Sequence, residues 1–84
     1  MNRKQRINNL LLNHLKEFSI EILDNSHLHI NHNNFDGTGE THIKIILEKR
    51  KEVKFDRLNL HRKINELLKN EFELGMHSLE IKIN

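Results

Sequence analysis

Gly75-Met76-His77-Ser78-Leu79-Glu80-Ile81-Lys82-Ile83 is the stretch that decides the fold. After Gly75 the residues alternate: His77, Leu79, Ile81 and Ile83 share one face, and Ser78, Glu80 and Lys82 share the other. A period of two is that of a β-strand with one face covered and one face wet. A sheet built on such strands carries its helices on the apolar side only, which makes two layers.

Reading back from Gly75, Leu60, Ile64, Leu67, Leu68 and Phe72 recur at helical spacing and predict a helix over about residues 57–71, with Asp56 as N-cap. His42-Ile43-Lys44-Ile45-Ile46-Leu47 reads as a strand before it. Asn25 to Glu40 is polar and rich in Asn, His and Gly, with Asp36-Gly37 and Gly39 suited to turn positions. Ser19-Ile20-Glu21-Ile22 alternates within a strand predicted from Phe18 to about Asp24. Ile7, Leu10, Leu11, His14 and Leu15 predict an amphipathic helix over about 3–16, with His14 on its apolar face. The order is therefore α-β-β-α-β, an α+β two-layer domain. The first two strands pair as a long-looped hairpin. The helix between strands two and three calls for a parallel pair with a right-handed crossover. The expectation is a three-stranded mixed sheet with both helices on one face, and one domain spanning residues 1–84. No linker, repeat or low-complexity segment divides it.

Composition narrows the function classes. Eighty-four residues suffice for one core, and 36% hydrophobic with 31% charged residues is the balance of a folded, water-exposed domain. Leu10-Leu11-Leu12 and Ile45-Ile46-Leu47 are far shorter than the roughly 20 apolar residues of a membrane span. The basic start, Met1 to Arg6, is not followed by an apolar core and cleavage site, so no secretory signal, no membrane role and a cytoplasmic location are expected. There is no cysteine, which removes disulfides, thiolate nucleophiles and self-contained thiolate-ligated metal sites. The net charge of +2, with acids spread along the chain, permits nucleic-acid contact without arguing for it.

Metal chemistry must then use carboxylates, ligands from another molecule, or the seven histidines: His14, His27, His29, His32, His42, His61 and His77. In an extended chain His27 and His29 would point to the same side, and His32 could join them from the loop, which makes a stand-alone metal site one reading and a solvated loop the other. His77 begins the third strand beside Gly75; spacing alone also fits a partly buried, hydrogen-bonded structural histidine. His42, at a strand start, is expected to hydrogen-bond locally.

Catalysis finds little support. Ser19, Ser26 and Ser78 lie in no nucleophile elbow, and Gly37-Thr38-Gly39 lacks the Gly-Lys-Ser/Thr of a phosphate loop. A non-enzyme is expected. The basic run Lys49-Arg50-Lys51 to Lys54, continuing into Arg57, His61, Arg62 and Lys63, is the best nucleic-acid feature. Glu48, Glu52 and Asp56 interleave with it, so a solvated face is the competing reading, and no aromatic stacking platform accompanies it.

These residues together resemble the BolA family. Four pieces carry the resemblance in order: Arg6-Ile7 opening a helix that leads to Ile20-Glu21-Ile22; Asp24-Asn25-Ser26-His27-Leu28-His29, similar to an acidic-polar Ser-x-x-His segment; Gly39-Glu40-Thr41-His42-Ile43-Lys44-Ile45, similar to Gly-Ser-Glu-Ser/Thr-His-Phe-x-Val; and Asn59-Leu60-His61-Arg62-Lys63-Ile64 with Met76-His77-Ser78-Leu79, similar to an Arg-His-Arg helix and a Val-His-Ala-Leu strand. The resemblance covers nearly the whole chain, and we read it as a trimmed member. It departs from the family where Leu60 replaces the first Arg, where Lys51-Glu52-Val53 replaces Phe-x-Gly, in a longer loop before His42, and in stopping at Asn84.

The resemblance implies a KH-like fold and a partnership with a monothiol glutaredoxin and glutathione. In it the two proteins share a [2Fe–2S] cluster, with none in the isolated protein. Carried over by residue, the strand ligand falls on His77 and the loop ligand on His29, with His27 and His32 near enough to substitute. Imidazole ligation lowers the negative charge at iron and is released by protonation, which would suit an adaptor in iron–sulfur trafficking or iron sensing. Alone, the chain is expected as a monomer or weak homodimer. The alternative is a DNA-binding transcriptional regulator that uses Arg57, His61, Arg62 and Lys63 on the basic second helix.

Overall fold

The structure, a computed structural model, describes residues 2–25, 41–50 and 52–84. The elements in order are α1 (Arg3–His14), β1 (Phe18–Asp24), β2 (His42–Lys49), α2 (Arg57–Leu67), α3 (Lys69–Glu73) and β3 (Ser78–Ile83). Asn2 starts α1 through a reciprocal pair of hydrogen bonds with Gln5, side chain to backbone in both directions. Asp56 caps α2 as expected: its carboxylate accepts from the backbone N–H of Asn59 at 3.1 Å.

The sheet order is β1-β2-β3. β1 runs antiparallel to β2, with Ile20 opposite Leu47 and Ile22 opposite Ile45. β2 runs parallel to β3, with Ile43 opposite Leu79, Ile45 opposite Ile81 and Leu47 opposite Ile83. These rows line one face, where Ile43, Ile45 and Leu47 are buried under Ile7, Leu11 and Leu15 of the first helical segment and Leu60, Ile64 and Leu68 of the second. Burying each such side chain contributes about 1.5–3 kcal/mol, so the helices are held to the sheet from one side. The opposite face carries Glu21, Lys44, Glu48, Glu80 and Lys82, with Lys44 and Glu80 in a loose surface pair at 3.9 Å. Among the described residues, no helix is long and apolar enough to cross a membrane.

Three sequence expectations need correction. The helix predicted over 57–71 is broken at Leu68, whose backbone (φ −99°, ψ 11°) leaves the helical range, and a short second helix follows. Phe72 is not on the buried stripe. It is exposed, and Glu71 takes the inward position, because Glu71 stands seven residues after Ile64 and three after Leu68. His14 is likewise exposed, not part of the apolar face, since α1 ends there and Leu15 supplies the last buried contact. Gly75 ends the helical region with φ +114°, a backbone conformation that disfavours a side chain.

Candidate functional site

One corner of the sheet gathers the strand ends and two histidines. The Thr41 carbonyl accepts from the backbone N–H of His77 at 2.7 Å and from that of Ser78 at 3.1 Å. The N–H of Asn25 donates to the His42 carbonyl at 2.8 Å. The end of β1, the start of β2 and the entry to β3 are therefore tied at one point, and Asn25 and Thr41 flank the segment 26–40. His27, His29 and His32 fall in that segment and lie outside the described residues.

His77 stands just before β3, and its side chain is exposed rather than sealed among its strand-mates Leu79, Ile81 and Ile83. Gly75 and the buried Met76 turn the chain there, so the period-two pattern starts one residue too late to cover the imidazole. His42 is half-buried and lies opposite Ser78 in the register. Its ring centre is 5.9 Å from that of His77, with the planes at 74°. The Thr41 hydroxyl lies 3.0 Å from Nδ1 of His42, the local hydrogen bond expected of a strand-start histidine.

Among the described residues, no three His, Cys, Asp or Glu side chains converge to hold a metal ion. A neutral imidazole is a suitable iron ligand in place of a thiolate. With no cysteine in the sequence, any thiolate at this corner must come from another molecule. Imidazole donors of this kind fit a group whose remaining ligands come from another molecule.

No motif links His42 to His77 in the sequence; the signal for their proximity is the parallel pairing expected of the second and third strands, which sets the beginnings of both side by side.

The basic candidates divide. Arg57 is engaged within the fold: Nη1 donates to the Ile83 carbonyl at 3.0 Å, and the guanidinium sits 5.6 Å from the centre of the Phe55 ring. Lys49 stands over the same ring at 5.7 Å, and Phe55 packs edge-on against Phe18 at 5.4 Å. Phe55, the aromatic residue of the basic stretch, is thus bound up in the fold. His61 is half-buried, while Arg62 and Lys63 are exposed on α2. Leu60, the departure from Arg-His-Arg, is buried in the core and serves packing.

A family model described as BolA-like protein matches residues 11–84. A protein from Sinorhizobium sp described as "Uncharacterized protein in cobS 5'region" is 38% identical over 64 residues, which is 75% of this chain and 69% of that protein. The "UV-induced protein uvi31" of Schizosaccharomyces pombe is 33% identical over 84 aligned positions, 96% of this chain and 82% of that protein. Among solved structures, the BolA domain of SufE1 from Arabidopsis thaliana superposes with a TM-score of 0.76 at 27% identity, covering all of this chain and 93% of that one.

Proposed function

Because this chain belongs to the BolA-like family, we propose that it is a non-enzymatic adaptor that partners a monothiol glutaredoxin and contributes histidine to a [2Fe–2S] cluster shared between the two. The observation that carries the reading is the exposed His77 imidazole, placed where the described flanks of the histidine-rich segment meet. His77 is the strand ligand and His29 the loop ligand, with His27 and His32 as substitutes. His29 is four residues from Asn25 along the chain, a contour of at most about 14 Å. The partner and glutathione supply the thiolates that this sequence lacks. A cluster held partly by neutral imidazole carries less negative charge and a higher potential than an all-thiolate one. This chain's residues bind and orient; the role is iron–sulfur trafficking or iron sensing.

The test mixes the protein with a monothiol glutaredoxin, glutathione, iron and sulfide, and follows visible absorption and circular dichroism. A heterocomplex with its own spectrum is expected, altered by His77→Ala and by His29→Ala. A spectrum indifferent to His77→Ala removes the proposed ligand.

A second reading, duplex DNA binding by α2, is favoured by the exposure of Arg62 and Lys63. It requires affinity that falls steeply with salt and drops further with Arg62→Ala. Affinity equal to that of any basic protein of similar charge ends it.

A further inference from the structure

We infer that His42 and His77 form a two-imidazole site for a borderline divalent cation of the Zn²⁺ class in the uncomplexed chain. The inference shares His77 with the reading above but does not rest on the cluster, the glutaredoxin or the loop histidines.

The argument begins with the backbone. His77 is fixed to Thr41 by the 2.7 Å hydrogen bond from its N–H to the Thr41 carbonyl, and His42 is the next residue. The two side chains therefore spring from one hydrogen-bonded junction, and their separation is set by the sheet. A Zn–N bond of about 2.0–2.1 Å puts the metal about 3.2 Å from an imidazole ring centre, so two rings on one ion at 90–110° have centres about 4.5–5.2 Å apart. The observed separation is 5.9 Å. Closing that gap takes a modest turn of the exposed His77 side chain, with no movement of either strand.

The Thr41 hydroxyl sits 3.0 Å from Nδ1 of His42, so coordination falls to Nε2. An outer partner on the second ring nitrogen is the usual companion of a metal-binding histidine, because it sets tautomer and ring direction. Coordination at Nε2 replaces whatever hydrogen bond that atom makes. Two neutral imidazoles select zinc, copper or nickel over magnesium and calcium, which require oxygen ligands. Water completes the coordination shell.

The experiment titrates Zn²⁺ alone into the full chain, prepared without a histidine tag, while imidazole resonances are followed by NMR. One equivalent is expected to bind and to shift the ring signals of His42 and His77. His42→Ala and His77→Ala should each weaken binding at least about tenfold, since even loss of an outer partner costs 10–100-fold. A variant with His27, His29 and His32 all changed to Ala should retain the site. The inference is overturned by absence of uptake, by ring signals of His42 and His77 that stay fixed as zinc binds, or by loss of uptake in the loop variant. The wild-type spectrum decides even where His42→Ala does not fold. No glutaredoxin, glutathione or iron is present, so failure here leaves the cluster reading standing, and failure of the cluster reading leaves this one.

Discussion

Nε of Arg3 donates to Oε1 of Glu71 across 2.9 Å, and both residues are nearly sealed from solvent. Arg6 adds two bonds to the same carboxylate, Nε to Oε2 and Nη2 to Oε1, each 2.8 Å, and Nη2 of Arg3 donates to the Leu74 carbonyl at 2.9 Å. The start of α1 is thereby clamped to α3 and the turn after it. Removing one member of a buried, hydrogen-bonded ion pair strands the other charge and costs about 3–5 kcal/mol. Glu71→Ala should therefore remove a large part of the roughly 5–15 kcal/mol that holds a domain folded. Urea unfolding is the measurement: the midpoint should drop with an unchanged slope. A loss under about 1 kcal/mol, the size of a surface pair, would show that the clamp is not buried in solution.

The same carboxylate sets a pH dependence. The Arg6 hydrogen bonds hold the Glu71 pKa below its ordinary value of 4.5, with Arg3 assisting, against a burial effect that works in the opposite direction. The folded pKa lies below the unfolded one, so the clamp's stabilisation is complete above the unfolded pKa and is lost as pH falls through the folded pKa. Urea midpoints between pH 7 and pH 3 should show the wild type losing its advantage over Glu71→Gln as the solution is acidified below about 4.5. A constant gap between the two proteins across that range would contradict the assignment.

Most of the architecture could be read from residue spacing because it rests on periodicity. The alternation at Ser19–Ile22 and Leu79–Ile83 and the stripe Leu60–Ile64–Leu68 correspond to the observed strands and helix, and Asp56 caps where expected. The Arg3–Glu71 clamp could not be seen by counting apolar residues, because both members are polar residues standing at apolar positions. Arg3 is four residues before Ile7 and Glu71 seven after Ile64, so opposite charges on two facing stripes were the available signal. Phe72, four residues after Leu68, is in phase with the stripe of an unbroken helix; the break at Leu68 shifts that phase, so that Glu71 faces inward and Phe72 outward. Spacing alone puts His77 on the parity of Leu79 and Ile81 and suggests partial burial, whereas its side chain is exposed because it precedes β3. The His42–His77 contact follows from the parallel pairing of the second and third strands and not from composition or residue spacing.

Arg57 and its neighbours on α2 should separate stability from surface charge. All three are exposed, but the Arg57 guanidinium bonds the last carbonyl of β3 and packs on Phe55. Arg57→Ala should lower stability by about 1 kcal/mol, the order of one hydrogen bond with its ring contact. Arg62→Ala and Lys63→Ala should each stay within about 0.5 kcal/mol of wild type. Thermal unfolding of the three variants is the check. Equal effects at all three positions would mean that Arg57 is another solvated cation and that its bond to Ile83 is not populated.

Thr41 supports the corner in two separable ways. Its backbone carbonyl receives His77 and Ser78, and its hydroxyl meets Nδ1 of His42. Thr41→Val keeps the carbonyl and nearly the same side-chain volume, and removes only the hydroxyl. The fold should therefore persist, with unchanged far-ultraviolet circular dichroism, while zinc binds about 10–100-fold more weakly because the ring of His42 has lost its orienting partner. Thr41→Ser restores the hydroxyl and should recover most of that loss. Zinc titration of the three proteins under one condition makes the comparison. Thr41→Val with wild-type affinity would mean that the hydroxyl does not orient the ring. Weakening shared equally by Thr41→Ser would trace the effect to packing of the methyl group and not to the hydrogen bond.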